Sequence, residues 1–413
     1  WAALAALCAG GFYLALSGGN VATERAFIQV AVMFAAILLD RRAITMRSVA
    51  IAAIVVLLNR PETLLSPGFQ MSFAATAALV GAFAALRGWP TGLAVPAWAK
   101  GALAVVVSSV VAGAATAPFA AAHFNQIATY GLIANLLSVP VMGSIIMPGA
   151  VIAALLTPIG LAGPVWAVME WGLIWILAVA EVIAAWPGAI SPVQTPPVWM
   201  LGAVALAALW VLLWQGALRW LGVLPLAVAL GLWNGAAPPA ILVADTGGLV
   251  GVMVDGARAL SRARGDGFVA GVWLENDGDR ADQATAAARP LWQAAGDGMA
   301  AQVDGLRLWH GPGQRALAQA QSACAFYDIV ILGQPAPETL AHARVALAPP
   351  HHAGQALLPL SDTHCLLFDR PSLAVTGALA ITPAEGAVIV TSAAMRQGVR
   401  PWSPPLRQGA QAQ

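Results

Sequence analysis

Long apolar runs separated by short polar segments fill the first part of this chain. They extend from Trp1 to Leu16, Ala26 to Leu39, Ser48 to Leu58, Gln70 to Leu86, Gly101 to Ala121, Tyr130 to Leu156, Pro164 to Trp186, Trp199 to Gln215 and Trp220 to Ala236. A helix crosses the hydrocarbon core of a bilayer with about 20 apolar residues, so each run is predicted to be a membrane helix. The runs at Ala26 and Ser48 are short and would recruit flanking residues, tilt little or re-enter. The run from Tyr130 is too long for one straight helix. Pro140 and Pro148 interrupt it, and Asn135, Ser138 and Ser144 add polar groups. A broken helix surrounded by protein or a water-filled path fits these residues, and so does a Pro-kinked packing helix.

After Pro239 the pattern shortens to apolar strands with Gly and Asp turns. Ile241 to Ala244, Leu249 to Val254, Gly267 to Leu274, Tyr327 to Leu332, Cys365 to Asp369 and Gly386 to Thr391 read as strands. Ala281 to Ala288 and Gln314 to Ala325 read as helices. The predicted fold class is a polytopic α-helical membrane domain, residues 1–237, followed by a smaller mixed α/β soluble domain, residues 240–413.

Charge follows the same division. Between Gly101 and Met169 there is no Asp, Glu, Lys or Arg. Residues 1–237 carry eight cations and five acids, and the remainder twelve and fourteen. Neither part is basic enough for bulk charge to hold nucleic acid, so DNA contact would need a few placed groups. Trp89, Trp98, Trp186, Trp199, Trp220 and Trp233 stand near run ends, as in an interfacial belt. Arg41, Arg42 and Arg47 place their loop in the cytoplasm by the positive-inside rule. Arg87 and Lys100 then fall on the same side. If Tyr130 to Leu156 crosses once, Arg219 is cytoplasmic and the tail lies outside the cytoplasm; if it crosses twice, both are reversed. The first count suits the charge rule better. It also permits a disulfide between Cys324 and Cys365. Two buried free thiols fit the sequence as well, and Cys8 reads as a packing residue. The chain opens at Trp1 within an apolar run, as a fragment lacking its N-terminal part would.

Polar groups interrupt the membrane pattern at a few places. Glu170 and Glu181 lie in one run, eleven residues apart, which at 100° per residue returns them to one helix face. Intramembrane carboxylates read as gating, cation-binding or Arg-pairing groups, or as helix-end acids reaching headgroup water. The segment Ser17 to Arg25 is polar. Thr23 is expected to cap the helix starting near Glu24, with Arg25 meeting an anion or snorkelling. Ser66 to Ser72, with Gln70 and Ser72 entering the membrane, is a second such loop. His123 to Gln126, with Asn125, is a third.

At these residues the chain resembles the ComEC competence-protein family. The matching stretches are Ser17-Gly18 with Thr23-Glu24-Arg25-Ala26, and Asn59-Arg60-Pro61 leading into Leu65 to Ala74. They continue through Ala117-Pro118, His123-Phe124-Asn125, Tyr130 to Pro140 and Met147-Pro148. They cover Trp1 to about Pro239 in the family's order. The resemblance implies a channel importing single-stranded DNA across the bacterial cytoplasmic membrane in natural transformation. It implies an external DNA receptor and a cytoplasmic ATP-driven motor as partners, besides the lipid bilayer. DNA-path candidates are then Thr23, Arg25, Gln70, Ser72, His123, Asn125 and Asn135.

Many family members also carry an oligonucleotide-binding-like domain and a metallo-β-lactamase-type hydrolase domain. Tyr327-Asp328-Ile329-Val330-Ile331 and Arg400-Pro401-Trp402-Ser403-Pro404 resemble the tails of some of them. The His-x-His-x-Asp-His cluster that would hold two metals is absent from the tail. Its histidines are His310, His342, His351, His352 and His364, and only Asp362 with His364 has ligand-like spacing. A transport protein without cofactor or metal is therefore expected rather than an enzyme. A nuclease tail and a small-solute transporter coupled through Glu170 and Glu181 stand as alternatives.

Overall fold

The computed structural model describes residues 1–87, 96–233, 235, 237–345, 347, 355–360 and 365–398. Two compact units divide the chain, Trp1–Ala236 and Ala237–Gln413.

The first unit is helical: α1 (Ala2–Leu16), α2 (Val21–Leu38), α3 (Met46–Asn59), α4 (Pro67–Arg87) and α5 (Ala97–Phe124) precede a short strand β1 (Gln126–Ala128). Then come α6 (Gly131–Val141), α7 (Met147–Leu156), α8 (Gly163–Ala184), strand β2 (Ile190–Pro192), α9 (Met200–Leu213) and α10 (Val223–Trp233). Among the described residues, five helical stretches are long and apolar enough to cross a membrane: Val21–Leu38, Pro67–Leu86, Ala99–Phe124, Gly131–Ile159 and Gly163–Ala184. Four further apolar helices among these residues have 10–17 residues, including Met46–Asn59 over the run at Ser48 that was expected to be short, whereas the short run at Ala26 extends back to Val21. Large apolar side chains such as Leu155 (72% exposed) and Leu177 (60%) face outward, as lipid-solvated surfaces do.

The run from Tyr130, for which a broken helix and a Pro-kinked helix were both expected, forms α6 and α7 with a π turn between them. The chain stays helical across Gly131–Ile159. One π turn, Met142–Ile146, joins α6 to α7, and the Met147 N–H donates to the Met142 carbonyl. The wide turn accommodates Pro140 and Pro148, which lack N–H groups. Ser144 Oγ donates to the Pro140 carbonyl at 2.6 Å. Gly172 lets α8 approach this turn, since a Cβ there would stand 2.8 Å from Ile146 Cδ1. Trp175 Nε1 donates across to the Leu137 carbonyl at 3.1 Å.

The second unit begins with β3 (Ile241–Val243), β4 (Val250–Val254), β5 (Ala257–Leu260), α11 (Gly267–Asn276), α12 (Gln283–Ala287), β6 (Gln293–Ala295), β7 (Gly298–Val303) and β8 (Leu306–Gly311). It continues through α13 (Ala320–Phe326), β9 (Ile329–Leu332), β10 (Ala356–Pro359), β11 (Leu366–Phe368), α14 (Arg370–Thr376), β12 (Leu379–Ala384), β13 (Ala387–Ser392) and α15 (Ala393–Gln397). One sheet, ordered β10-β13-β12-β3-β4-β5, is antiparallel throughout. The other, β11-β9-β8-β7-β6, pairs β9 in parallel with both β11 and β8. Ile241, Val252, Val388 and Val390 of the first sheet share one buried cluster with Leu308, Ile329, Ile331 and Phe368 of the second. The sheets are therefore packed face to face. Helices cover both outer faces: Ala270, Trp273 and Leu274 of α11 pack with Leu249 and Leu260, and Ala320 and Ala323 of α13 with Trp309 and Leu332.

Gly267 to Leu274, predicted as a strand, is helical. Its apolar residues are continuous rather than alternating, a pattern that periodicity alone does not assign. A buried Arg258 ties the junction into this unit. Its guanidinium donates to both Asp277 carboxylate oxygens, to the Gly251 carbonyl at 3.2 Å and to the Pro239 carbonyl at 3.1 Å. Cys324 and Cys365 are bonded to each other, with Cα atoms 5.1 Å apart.

Candidate functional site

The start of α2 is set by Asn20, whose Oδ1 accepts from the backbone N–H and the hydroxyl of Thr23, at 2.9 and 3.1 Å. The expectation that Thr23 caps this helix is corrected. Asn20 follows two left-handed glycines, Gly18 and Gly19, and occupies the extended N-cap position itself. The helix then begins at Val21, which puts Glu24 and Arg25 in its first turns.

Glu24 and Arg25 have opposite circumstances. The Glu24 carboxylate accepts from Asn59 Nδ2 and pairs with Arg60 Nε at 3.0 Å. Both partners come from the end of α3. Arg25 has no hydrogen-bonding or ionic partner among the described residues. Its guanidinium lies over the first turn of α4, where a Cβ on Gly68 would stand 2.6 Å from Nη1. Val21, Glu24, Arg25, Asn59, Arg60 and Thr63 line a recess floored by Ile28, Val56 and Phe69. A 3₁₀ turn, Pro61–Leu65, closes it, braced by Thr63 Oγ1 on the Arg60 carbonyl (2.7 Å) and by Gln70 Nε2 on the Leu64 carbonyl (3.1 Å).

The remaining candidates are partly joined to this cluster. Gln70 Oε1 meets His123 Nε2 at 2.8 Å, linking α4 to the end of α5. Asn125 is in the left-handed conformation after α5. Its Nδ2 donates to Thr195 Oγ1 at 2.7 Å and to the Val193 carbonyl at 3.2 Å. β1 pairs with β2 beside it. Asn125 is thus a clasp between two connections. Ser72 is half-buried one turn into α4, its carbonyl accepting from Thr76. Asn135 is exposed on α6, with no hydrogen bond to the cluster.

These contacts gather the ends of α2, α3, α4, α5 and α8 at one end of the unit. Trp233, the last residue of α10, is there too, donating from Nε1 to the Gln194 carbonyl at 2.8 Å. Arg41 and Arg42 in the α2–α3 connection, Arg47 in the first turn of α3 and Arg219 in the 3₁₀ turn before α10 lie at the other end. Glu170 and Glu181 are both exposed on α8. At 1.5 Å per residue, Glu170 lies about 5 Å from the middle of α8 and Glu181 about 11 Å. Only Glu181 is near a helix end.

Sequence reasoning took Glu24 as the residue near which a helix starts and missed its clamp on Asn59 and Arg60. It also missed Asn20 and Gly68. The Asn-x-x-Thr spacing before an apolar run was the available signal for Asn20; no local pattern reveals that Gly68 makes room for Arg25.

In the second unit, His310 is fully buried. Its Nε2–H donates to the Gly247 carbonyl at 3.0 Å, and Nδ1 has no partner. Burial pushes its imidazolium pKa down to about 4, against a smaller opposing effect of that hydrogen bond. Among the described residues no three His, Cys, Asp or Glu side chains gather as metal ligands. His351, His352, His364, Asp362 and Arg400 to Pro404 lie outside the described residues.

No solved structure matches this chain. ComE operon protein 3 of Bacillus subtilis (strain 168) is 31% identical over 144 residues, which is 35% of this chain and 17% of that protein. The chain thus matches about a sixth of that relative's length. The family model described as Competence protein matches residues 1–218, more than half of the chain. With its long apolar helices and the clustered loops that carry the resemblance, this is a membrane protein that belongs to the competence protein family, of ComEC type.

Proposed function

We propose that the helical unit is a channel that admits one DNA strand across the bacterial cytoplasmic membrane during natural transformation. The observation that carries this reading is Arg25. It stands uncompensated over the positive end of α4, inside a cluster built from the family's loop residues. Two positive centres pressed together favour an anion beside them, and a phosphodiester supplies one. The Glu24–Arg60–Asn59 clamp neutralises the neighbouring acid, so the recess does not repel a polyanion. Moving phosphates through a bilayer also requires a hydrated path, since charge in hydrocarbon is very costly. The π turn and the polar Asn135 and Ser144 provide groups for it.

The cluster faces outside the cytoplasm in this reading, and the tail emerges on the same side. The positive-inside rule, a single helical crossing at Gly131–Ile159 and the Cys324–Cys365 bond support that orientation. An external receptor would deliver DNA to the cluster and a cytoplasmic motor would draw the strand inward. The tail serves as a hydrolase-like accessory domain without metal chemistry. Cells carrying Arg25→Ala at normal membrane levels should bind duplex DNA outside yet accumulate little internal label. Wild-type accumulation would remove the cluster from the DNA path.

A further inference from the structure

The outer face of α11 begins with two apolar side chains and ends in the polar Glu275 and Asn276. Ala270, Trp273 and Leu274 bury the inner face in the domain core, while Phe268 is 85% exposed and Val272, one turn on, 36% exposed. Gly267 and Gly271, also exposed, leave the Phe268 ring standing clear. An exposed aromatic beside an aliphatic group on an otherwise packed helix is a candidate contact surface. The loop before it is fastened, not loose: Gln283 Nε2 donates to the Arg262 and Gly265 carbonyls at 3.2 and 2.7 Å, and Arg262 Nη1 to the Gly248 carbonyl at 3.2 Å. That loop presents Arg264, exposed and without an ionic partner among the described residues. Asp266, the acid beside it, accepts from Thr246 Oγ1 at 3.1 Å.

We propose that Phe268 and Val272 form an interfacial anchor that seats the second unit on the phospholipid surface, with Arg264 on a headgroup phosphate. Three features favour lipid as the occupant. The face carries bare aromatic and aliphatic groups with a cation at its edge, the composition of an interfacial helix. Only seven residues of chain, 234–240, separate the last apolar helix from β3. At such a tether even a small apolar patch meets the bilayer at high effective concentration. Exposed Glu275 lies two turns beyond Phe268, where it would stay in headgroup water. A single DNA strand also stacks on aromatic rings, but Val272 offers it no stacking face.

The test uses the full chain in phosphatidylcholine–phosphatidylglycerol nanodiscs, with Cys8→Ser and the native disulfide intact. An environment-sensitive fluorophore is attached to Phe268→Cys, and separately to Val272→Cys. The expected result at both positions is quenching by nitroxide lipids labelled near the headgroup and protection from iodide. The same label on Asp304→Cys, in the β7–β8 turn, should show the reverse. Arg264→Gln should lower the ratio of seated to free domain about five-fold, the equivalent of one cation at an anionic surface. Iodide quenching at positions 268 and 272 overturns the proposal. So does shielding from both quenchers, which would mean a protein cover, or shielding that appears only after oligothymidylate is added.

Discussion

Gly68→Ala separates the chemistry of the cluster from its fold. The added methyl would stand 2.6 Å from Nη1 of Arg25, roughly 1 Å inside ordinary contact for such atoms. The obstructed atom is the free end of a long side chain, so Arg25 yields and the backbone does not. Position 68 is the second residue of α4, where Ala is favoured over Gly by up to about 1 kcal/mol. Folding and membrane level should therefore be unchanged or slightly raised, while the guanidinium loses its seat. A charge-assisted hydrogen bond contributes about 1.5–3 kcal/mol, so Arg25→Ala should lower transformation about 10- to 100-fold. Gly68→Ala should fall between that variant and the wild type. The assay is transformation frequency at saturating DNA, normalised to protein in membranes by immunoblot. Wild-type frequency in both variants would refute the reasoning. A loss in Gly68→Ala that tracks lost protein would assign Gly68 to packing instead.

Three further outcomes follow from the tail. The Cys324–Cys365 bond closes a 41-residue separation, so Cys324→Ala should destabilise the unit by about 4 kcal/mol on the chain-entropy account, read by denaturant unfolding. His310 has a folded pKa of about 4 against an ordinary 6.5, so the unfolded chain binds the extra proton between those values. Stability should be full above pH 6.5 and fall by about 3 kcal/mol as pH drops to 4; His310→Gln should flatten that dependence in melts at stepped pH. Asp277→Ala strands the buried Arg258 guanidinium and should cost about 3–5 kcal/mol, whereas replacing both, as Arg258→Met with Asp277→Leu, should recover most of it.

The helical unit was legible because lipid demands length and apolarity, and both are properties of composition. What composition does not encode is which loops meet. The prolines in the run from Tyr130 left a broken and a kinked helix equally open to sequence, and the structure places a single π turn beside them. The short strands β1 and β2 were missed because three residues carry no period; they pair beside the Asn125 clasp. In the tail, the strand predicted at Gly267 failed because the apolar run from Phe268 to Leu274 is continuous and carries no period that separates strand from helix. Arg25, Gln70 and His123 were named from sequence as separate loop residues. Their geometry makes Gln70 and His123 a pair and leaves Arg25 alone against Gly68.

The most direct test of a DNA path lined by the cluster is crosslinking during uptake. A photoreactive group at Val21, on the rim of the recess, should capture the incoming single strand in competent cells, and capture should fall with Arg25→Ala. The same group at Leu177, on the outward face of α8, should capture none. Equal capture at both positions, or none at Val21 while DNA still enters, would contradict the account.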